Sequence, residues 1–182
     1  PKVISKEEVA EMIRKTENIK HRCIISVLYS GGLRRGELLN LKLDDIDGKR
    51  MVITVRAAKG NKDRLTILSP FVLKELRTYF KEYRPKEFLF EGQSKNQYSA
   101  ESVGNIIKAS AKRAKIQKRV TPHMLRHSFA THLMEDGADL RYIQSLLGHR
   151  SSRTTEICTQ VTLNHVKNIQ SPFDFIFLDM NT

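Results

Sequence analysis

Residues 121–160 read TPHMLRHSFATHLMEDGADLRYIQSLLGHRSSRTTEICTQ, and this stretch decides the reading of the whole chain. Thr121 is suited to cap a helix, and Pro122 fits its first position, where no amide hydrogen is needed. His123 and Arg126 stand three apart and share one face of the opening turns. Leu125, Phe129 and Leu133 recur at every fourth position, so the other face is apolar and expected to be buried. Gly137 ends this helix, Asp139 caps the next, and Leu140, Ile143, Leu146 and Leu147 supply its apolar stripe. Gly148 stops that helix and leaves His149 at its end, and the run TTEIC reads as a final short helix carrying Cys158. Two helix ends and one helix start are thereby expected to gather His123, Arg126, His149 and one more side chain.

The rest of the composition narrows the class. A chain of 182 residues reads as one domain with enough core to fold without disulfide or metal support. Lys and Arg number 32 against 20 Asp and Glu, a formal charge of +12 with a pI near 9.9. That surplus suits a polyanion, either nucleic acid or an anionic membrane. No apolar run approaches spanning length and no leader pattern is visible, which weighs against the membrane. Cys23 and Cys158 make neither a disulfide framework nor a zinc spacing, so a reducing cytoplasm is expected.

From the start of the chain, Ser5 to Glu8 is a capping box followed by Val9, Met12 and Ile13 at helical spacing. A second apolar helix runs through Ile24, Ile25, Val27 and Leu28 to a stop at Gly31-Gly32. The run GLRRGELLNL follows, with Arg34 and Glu37 three apart and Leu38, Leu39 and Leu41 as core anchors. By itself the Arg34–Glu37 pair reads as a surface ion pair of little worth. Residues 51–56 and 65–68 alternate with β-branched side chains around the turn AAKGNKDR, which makes a β-hairpin. Its tip carries Lys59, Lys62 and Arg64, an arrangement also expected of a merely solvated turn. Ser69-Pro70 opens a helix with Val72, Leu73, Leu76 and Phe80 inward, and residues 88–90 read as a short buried segment. A long helix over residues 100–115 turns Val103, Ile106, Ile107, Ala111 and Ala114 inward. Its outer face carries Lys108, Lys112, Arg113 and Lys115, with Lys118 and Arg119 beyond. A run of one sign points towards phosphate contact, although such runs are commonly just solvated faces.

His123-x-x-Arg126, the Leu146-Leu147-Gly148-His149 turn and the Thr-Thr-Glu-Ile-x-Thr run resemble the tyrosine recombinase family, which includes phage integrases and Xer-type recombinases. GLR-x-x-E at residues 32–37 and the lysine of the hairpin turn extend the resemblance over essentially the whole chain, with Ala58 in place of the usual first glycine of the turn. It fails at the position that names the family, where Cys158 stands for tyrosine, and again at Gln160, where histidine is common. The resemblance implies a mainly helical α+β fold with a small antiparallel sheet on one side. It implies catalytic roles for Arg34, Lys59, His123, Arg126, His149 and the residue at 158, with Glu37 in support. It also implies cleavage and rejoining of duplex DNA through a 3′-phosphotyrosyl link, without ATP.

The chemistry agrees with that set. Transesterification of a phosphodiester needs charge countered on the non-bridging oxygens, an aligned nucleophile and a proton for the leaving 5′ oxygen. Guanidinium forks match phosphate oxygens, so Arg34 and Arg126 suit the first task. Lys59 is the candidate general acid, His123 exchanges a proton with the nucleophile, and His149 hydrogen-bonds a phosphate oxygen. No metal or other cofactor is expected: His123, His127 and His132 share a helix, but arginine interleaves them and no His-Glu-x-x-His pattern occurs. His127 and His132 read instead as packing or hydrogen-bonding residues.

A cysteine thiolate is a competent nucleophile, and flanking arginines lower its pKa. Its sulfur nevertheless lies several ångströms nearer the backbone than a phenol oxygen. A misplacement of about 1 Å already costs on the order of a hundredfold. The chain as written is therefore expected to bind DNA and to cleave it feebly or not at all. Cys158 fits, in order, a replacement in an otherwise active enzyme, a naturally inactive relative, or thiol chemistry. The competing class is a cleavage-deficient regulator that keeps the recombinase fold and the phosphate grip. Arg35, Lys62, Arg64, Lys108, Lys112, Arg113 and Arg119 are the expected DNA-binding side chains. The DNA-clamping domain that usually precedes this one in the family is not in these residues. The chain is thus expected to be monomeric in solution, tetrameric on synapsed DNA and nucleoid-associated in the cytoplasm, with no membrane partner. Residues 163–182, a helix and the apolar run FDFIFLDM, are expected to dock on a neighbouring copy.

Overall fold

A computed structural model describes residues 3–56, 62–148 and 170–174. Lys59, His149, Cys158, the short helix expected around Cys158, residues 163–169 and residues 175–182 lie outside the described residues.

The chain begins with α1 (Lys6–Arg14), whose capping box is made as expected: Ser5 Oγ accepts from Glu8 N, and Ser5 N donates to Glu8 Oε2 at 2.8 Å. Helix α2 (Ile19–Ser30) is apolar on nearly every face, and Cys23 through Ser30 are all buried. Such a helix has to sit in the middle of a core. It packs against α1, α3 (Arg35–Asn40), α4 (Pro70–Tyr83), α5 (Ala100–Arg113) and α6 (Pro122–Glu135). Helix α7 (Leu140–Leu147) follows, capped by Asp139 at one end and by Gly148 in a left-handed conformation at the other.

A three-stranded antiparallel sheet lies beside this helical body: β1 (Ile46–Asp47), β2 (Val52–Val55) and β3 (Arg64–Ile67), in that order. Register pairs Val52 with Ile67 and Val55 with Arg64. The hairpin over β2 and β3 is the expected one, whereas β1, only two residues long, carries no alternation from which it could be read. Two contacts fix the sheet to the helices. Thr66 Oγ1 donates to the carbonyl of Gly31 at 2.8 Å, at the end of α2, and β3 packs on α7.

The helical phases hold with local exceptions. Helix α4 buries Val72, Leu76 and Tyr79, while Phe80, expected inward, is 46% exposed. Tyr79 takes the inward position because i, i+4, i+7 from Val72 ends on it. Leu140 is likewise exposed, since it is the first residue of an eight-residue helix and lies beyond the surface that covers Ile143, Leu146 and Leu147. At the other end of the chain, residues 170–174 lie on their own domain. Phe173 is fully buried with its ring 6.4 Å from that of Tyr29, and Ser171 Oγ donates to the carbonyl of Ser30.

Candidate active site

The site is assembled around one carboxylate. Glu37 lies in the first turn of α3, where it accepts the backbone N–H of Arg34 at 2.7 Å and faces the positive end of the helix. The Arg34 guanidinium folds back on it, Nη1 to Oε1 at 3.0 Å. From β3, Arg64 Nη2 donates to Glu37 Oε2 at 2.7 Å. From the second turn of α6, Arg126 brings Nη1 to 3.6 Å of the same oxygen. Three guanidinium groups from three parts of the chain thus share a single carboxylate, which leaves two positive charges over.

The three arginines are held differently. Arg34 keeps its side chain 53% exposed. Arg126 is 5% exposed and reaches across the core, donating from Nη1 to the carbonyl of Gly32 at 2.7 Å and from Nη2 to that of Leu147. Gly32 makes the first of these bonds possible. Its φ of +59° turns the chain after α2, and a Cβ there would stand 2.4 Å from Cδ1 of Phe129. Arg64, 11% exposed, donates from Nη1 to the carbonyl of Leu146 at 2.7 Å. Burial, then the charges of Arg34 and Arg64, lower the pKa of Arg126 to about 10, against the pull of Glu37. Burial likewise lowers that of Arg64. Both stay cationic at neutral pH, but at an energetic cost that a further anion would relieve.

Arg34 and Arg126 both reach Glu37, the first at Oε1 and the second at Oε2. His123 stands exposed in the first turn of α6, three residues before Arg126, with Nε2 2.7 Å from Nε2 of His127. His132 is buried with Nδ1 2.8 Å from the Tyr29 hydroxyl, a hydrogen-bonding role within the core, as its sequence context implies. Lys59 and His149 lie outside the described residues. Gly148, the residue before His149, borders the cluster, and Arg64, five residues after Lys59, belongs to it.

Arg64 requires a correction. Expected at a solvated hairpin tip, it is instead the first residue of β3, tucked between Glu37 and the end of α7. The strand period carries the reason: Arg64 shares a face with Thr66, which is fully buried against the end of α2. The other expected DNA-binding residues, Arg35, Lys62, Lys108, Lys112, Arg113 and Arg119, are all exposed. Among the described residues no group of three or more His, Cys, Asp and Glu is placed to hold a metal ion, and no helix is long and apolar enough to cross a membrane. The carbonyls of Gly32, Leu146 and Leu147, which aim two of the arginines, are backbone groups and left no mark in the sequence beyond the glycines next to them.

The model of the phage integrase family matches residues 2–165. The chain belongs to that family. It is 43% identical over 173 residues to the tyrosine recombinase XerA of Pyrococcus furiosus, covering 92% of this chain and 60% of that protein. The crystal structure of XerA recombinase superposes with a TM-score of 0.79 at 37% identity, over 87% of this chain and 60% of that one. XerH site-specific recombinase, solved bound to its difH substrate before cleavage, gives 0.74 at 26% identity, over 92% of this chain and 49% of that one. The mainly helical α+β fold with its small antiparallel sheet is therefore the family's fold, and this chain spans about half to three-fifths of the length of these relatives.

Proposed function

We propose that the chain is the catalytic domain of a site-specific DNA recombinase or integrase, and that its arginine cluster grips one backbone phosphate of duplex DNA. The observation that carries this reading is the gathering of Arg34, Arg126 and Arg64 on Glu37, with two positive charges to spare. A phosphodiester brings one negative charge, and a second develops as the nucleophile adds to phosphorus. Preorganised cations stabilise that added charge most. The net charge of +12 and the DNA-bound state of the solved XerH relative support the same partner.

In the reaction so proposed, a tyrosine hydroxyl in place of Cys158 would attack phosphorus while the bond to the 5′ oxygen breaks. Lys59 supplies the proton that leaves with that oxygen, and His123 takes the proton from the nucleophile. His149 hydrogen-bonds a non-bridging oxygen. The bond energy stays in the covalent link, so rejoining needs no ATP. A cysteine side chain is several ångströms shorter than a tyrosine, so with Cys158 in place cleavage is expected to be lost or slight.

Cys158 also favours the second reading, a regulator that binds DNA without cutting it. Covalent trapping separates the two. Cys158→Tyr incubated with a nicked suicide duplex should form a protein–DNA adduct that the unaltered chain does not. Adduct from the unaltered chain would point to thiol chemistry, and none from either would favour the binding-only protein. The assembly expected is a monomer in solution and a homotetramer on synapsed DNA, in the cytoplasm beside the nucleoid.

A further inference from the structure

We propose that Arg64 is a positioning residue: it locks Glu37 to the end of α7 so that Arg34 and Arg126 face the same phosphate, and it does not itself hold DNA. The inference rests on the phosphate-binding reading above and assigns the division of labour within it.

Three observations lead there. Both terminal nitrogens of Arg64 are engaged, one on Glu37 Oε2 and the other on the Leu146 carbonyl, each at 2.7 Å. Those bonds leave from the two separate terminal nitrogens of the guanidinium fork, a span that a lysine ammonium, with its donors on one nitrogen, does not reproduce. The arm of the side chain is clamped as well. Gly148 lies over it with φ +66°, and a Cβ at that position would stand 2.7 Å from Cδ and 2.8 Å from Nε of Arg64. Exposure separates Arg64, at 11%, from Arg34, at 53%; Arg126, at 5%, differs from Arg64 instead in standing 3.6 Å rather than 2.7 Å from Glu37, which leaves its charge less compensated.

Connectivity gives the lock its reach. Glu37 carries Arg34 and, through its second oxygen, approaches Arg126. Arg126 holds Leu147 while Arg64 holds Leu146, so two adjacent carbonyls at the end of α7 are grasped by two arginines that also share one carboxylate. Loss of the Arg64 bridge frees Glu37 to swing towards Arg34 alone and lets the end of α7 drift from the cluster. A geometric slip of that kind acts on the rate of transfer rather than on the affinity for the duplex.

The test uses the full chain in two arms. In the first, arginine side-chain Nε–Hε resonances of the unaltered protein are followed by NMR as a duplex of random sequence is added. The Arg34 resonance is expected to shift while that of Arg64 stays in place. Both shifting overturns the assignment of Arg64, whereas neither shifting overturns the phosphate reading itself. In the second arm, Arg64→Lys and Arg64→Gln are made in the Cys158→Tyr background. They are assayed at saturating DNA, below their melting temperatures, for covalent adduct and for relaxation of supercoiled plasmid. Adduct formation should slow on the order of a hundredfold. Duplex affinity should stay within threefold and the salt slope of binding unchanged, where loss of one phosphate contact would lower that slope by about 0.9. A lowered slope, or an unchanged adduct rate in both variants, refutes the proposal. Should the variants not fold, the first arm decides alone.

Discussion

Glu37→Gln removes one negative charge with almost no change of shape, and the structure sets the size of its effect. Two of the three partners, Arg64 and Arg126, are 11% and 5% exposed, and Glu37 itself is 16% exposed. Stripping one partner from a buried ion pair costs about 3–5 kcal/mol. The glutamine carbonyl still accepts one hydrogen bond, which places the expected loss near the lower end, about 3 kcal/mol. Arg34, half exposed, adds little to this sum. For a chain of this size that loss corresponds to a fall in Tm of about 6–12 °C. Urea titration at pH 7, read by far-UV circular dichroism, measures it directly. Arg64→Gln added to Glu37→Gln should recover part of the loss, because it removes one of the mutually repelling cations. A loss below about 1 kcal/mol, or strictly additive effects of the two changes, would refute the shared-carboxylate account.

Other expectations follow from single positions. Gly32→Ala should cost about 2–4 kcal/mol, since a positive φ and a Cβ 2.4 Å from the Phe129 ring combine strain with overpacking; a variant as stable as the parent in urea would contradict this. Burial holds the pKa of His132 below its ordinary 6.5, so the folded chain resists a proton that the unfolded chain accepts. Stability should therefore be unaffected above pH 6.5 and decline as pH falls from there towards the folded value, and His132→Gln should flatten that decline; parallel pH profiles of the urea midpoint would refute it. Phe173→Ala, emptying a fully buried site beside Tyr29, should cost about 3–5 kcal/mol, and an effect under about 1 kcal/mol would show that residues 170–174 do not anchor to their own domain.

What the sequence revealed and what it hid divide along physical lines. Helix positions were legible because caps and apolar periods are local: Ser5, Ser69, Thr121 and Asp139 cap α1, α4, α6 and α7 where their side-chain chemistry places them. The Arg34–Glu37 pair was legible as a pair, yet local spacing alone made it a weak surface contact. Its weight comes from Arg64 and Arg126, 27 and 89 residues away from Glu37 along the chain, which no local pattern connects. Arg64 was misread because a cation next to a Gly-Asn-Lys-Asp turn looks solvent-facing, while its strand phase, shared with Thr66, pointed inward. Phe80 and Leu140 show a related ambiguity: an apolar residue at the edge of a stripe is buried only if a neighbour extends far enough to cover it. Pairing of His123 with His127 was visible as spacing, but not that the two rings would meet edge to face.

Three cations around one anion put the native state under internal repulsion that the unfolded chain does not feel. An oxyanion settling beside Arg34 and Arg126 relieves it and raises the free energy of unfolding, by about 2.7 kcal/mol when the ligand stands at a hundred times its dissociation constant. If the proposed phosphate grip holds, folding and phosphate capture are thermodynamically linked through Glu37. The protein would then be at its most fragile in dilute, phosphate-free buffer and at its most robust with an oxyanion bound.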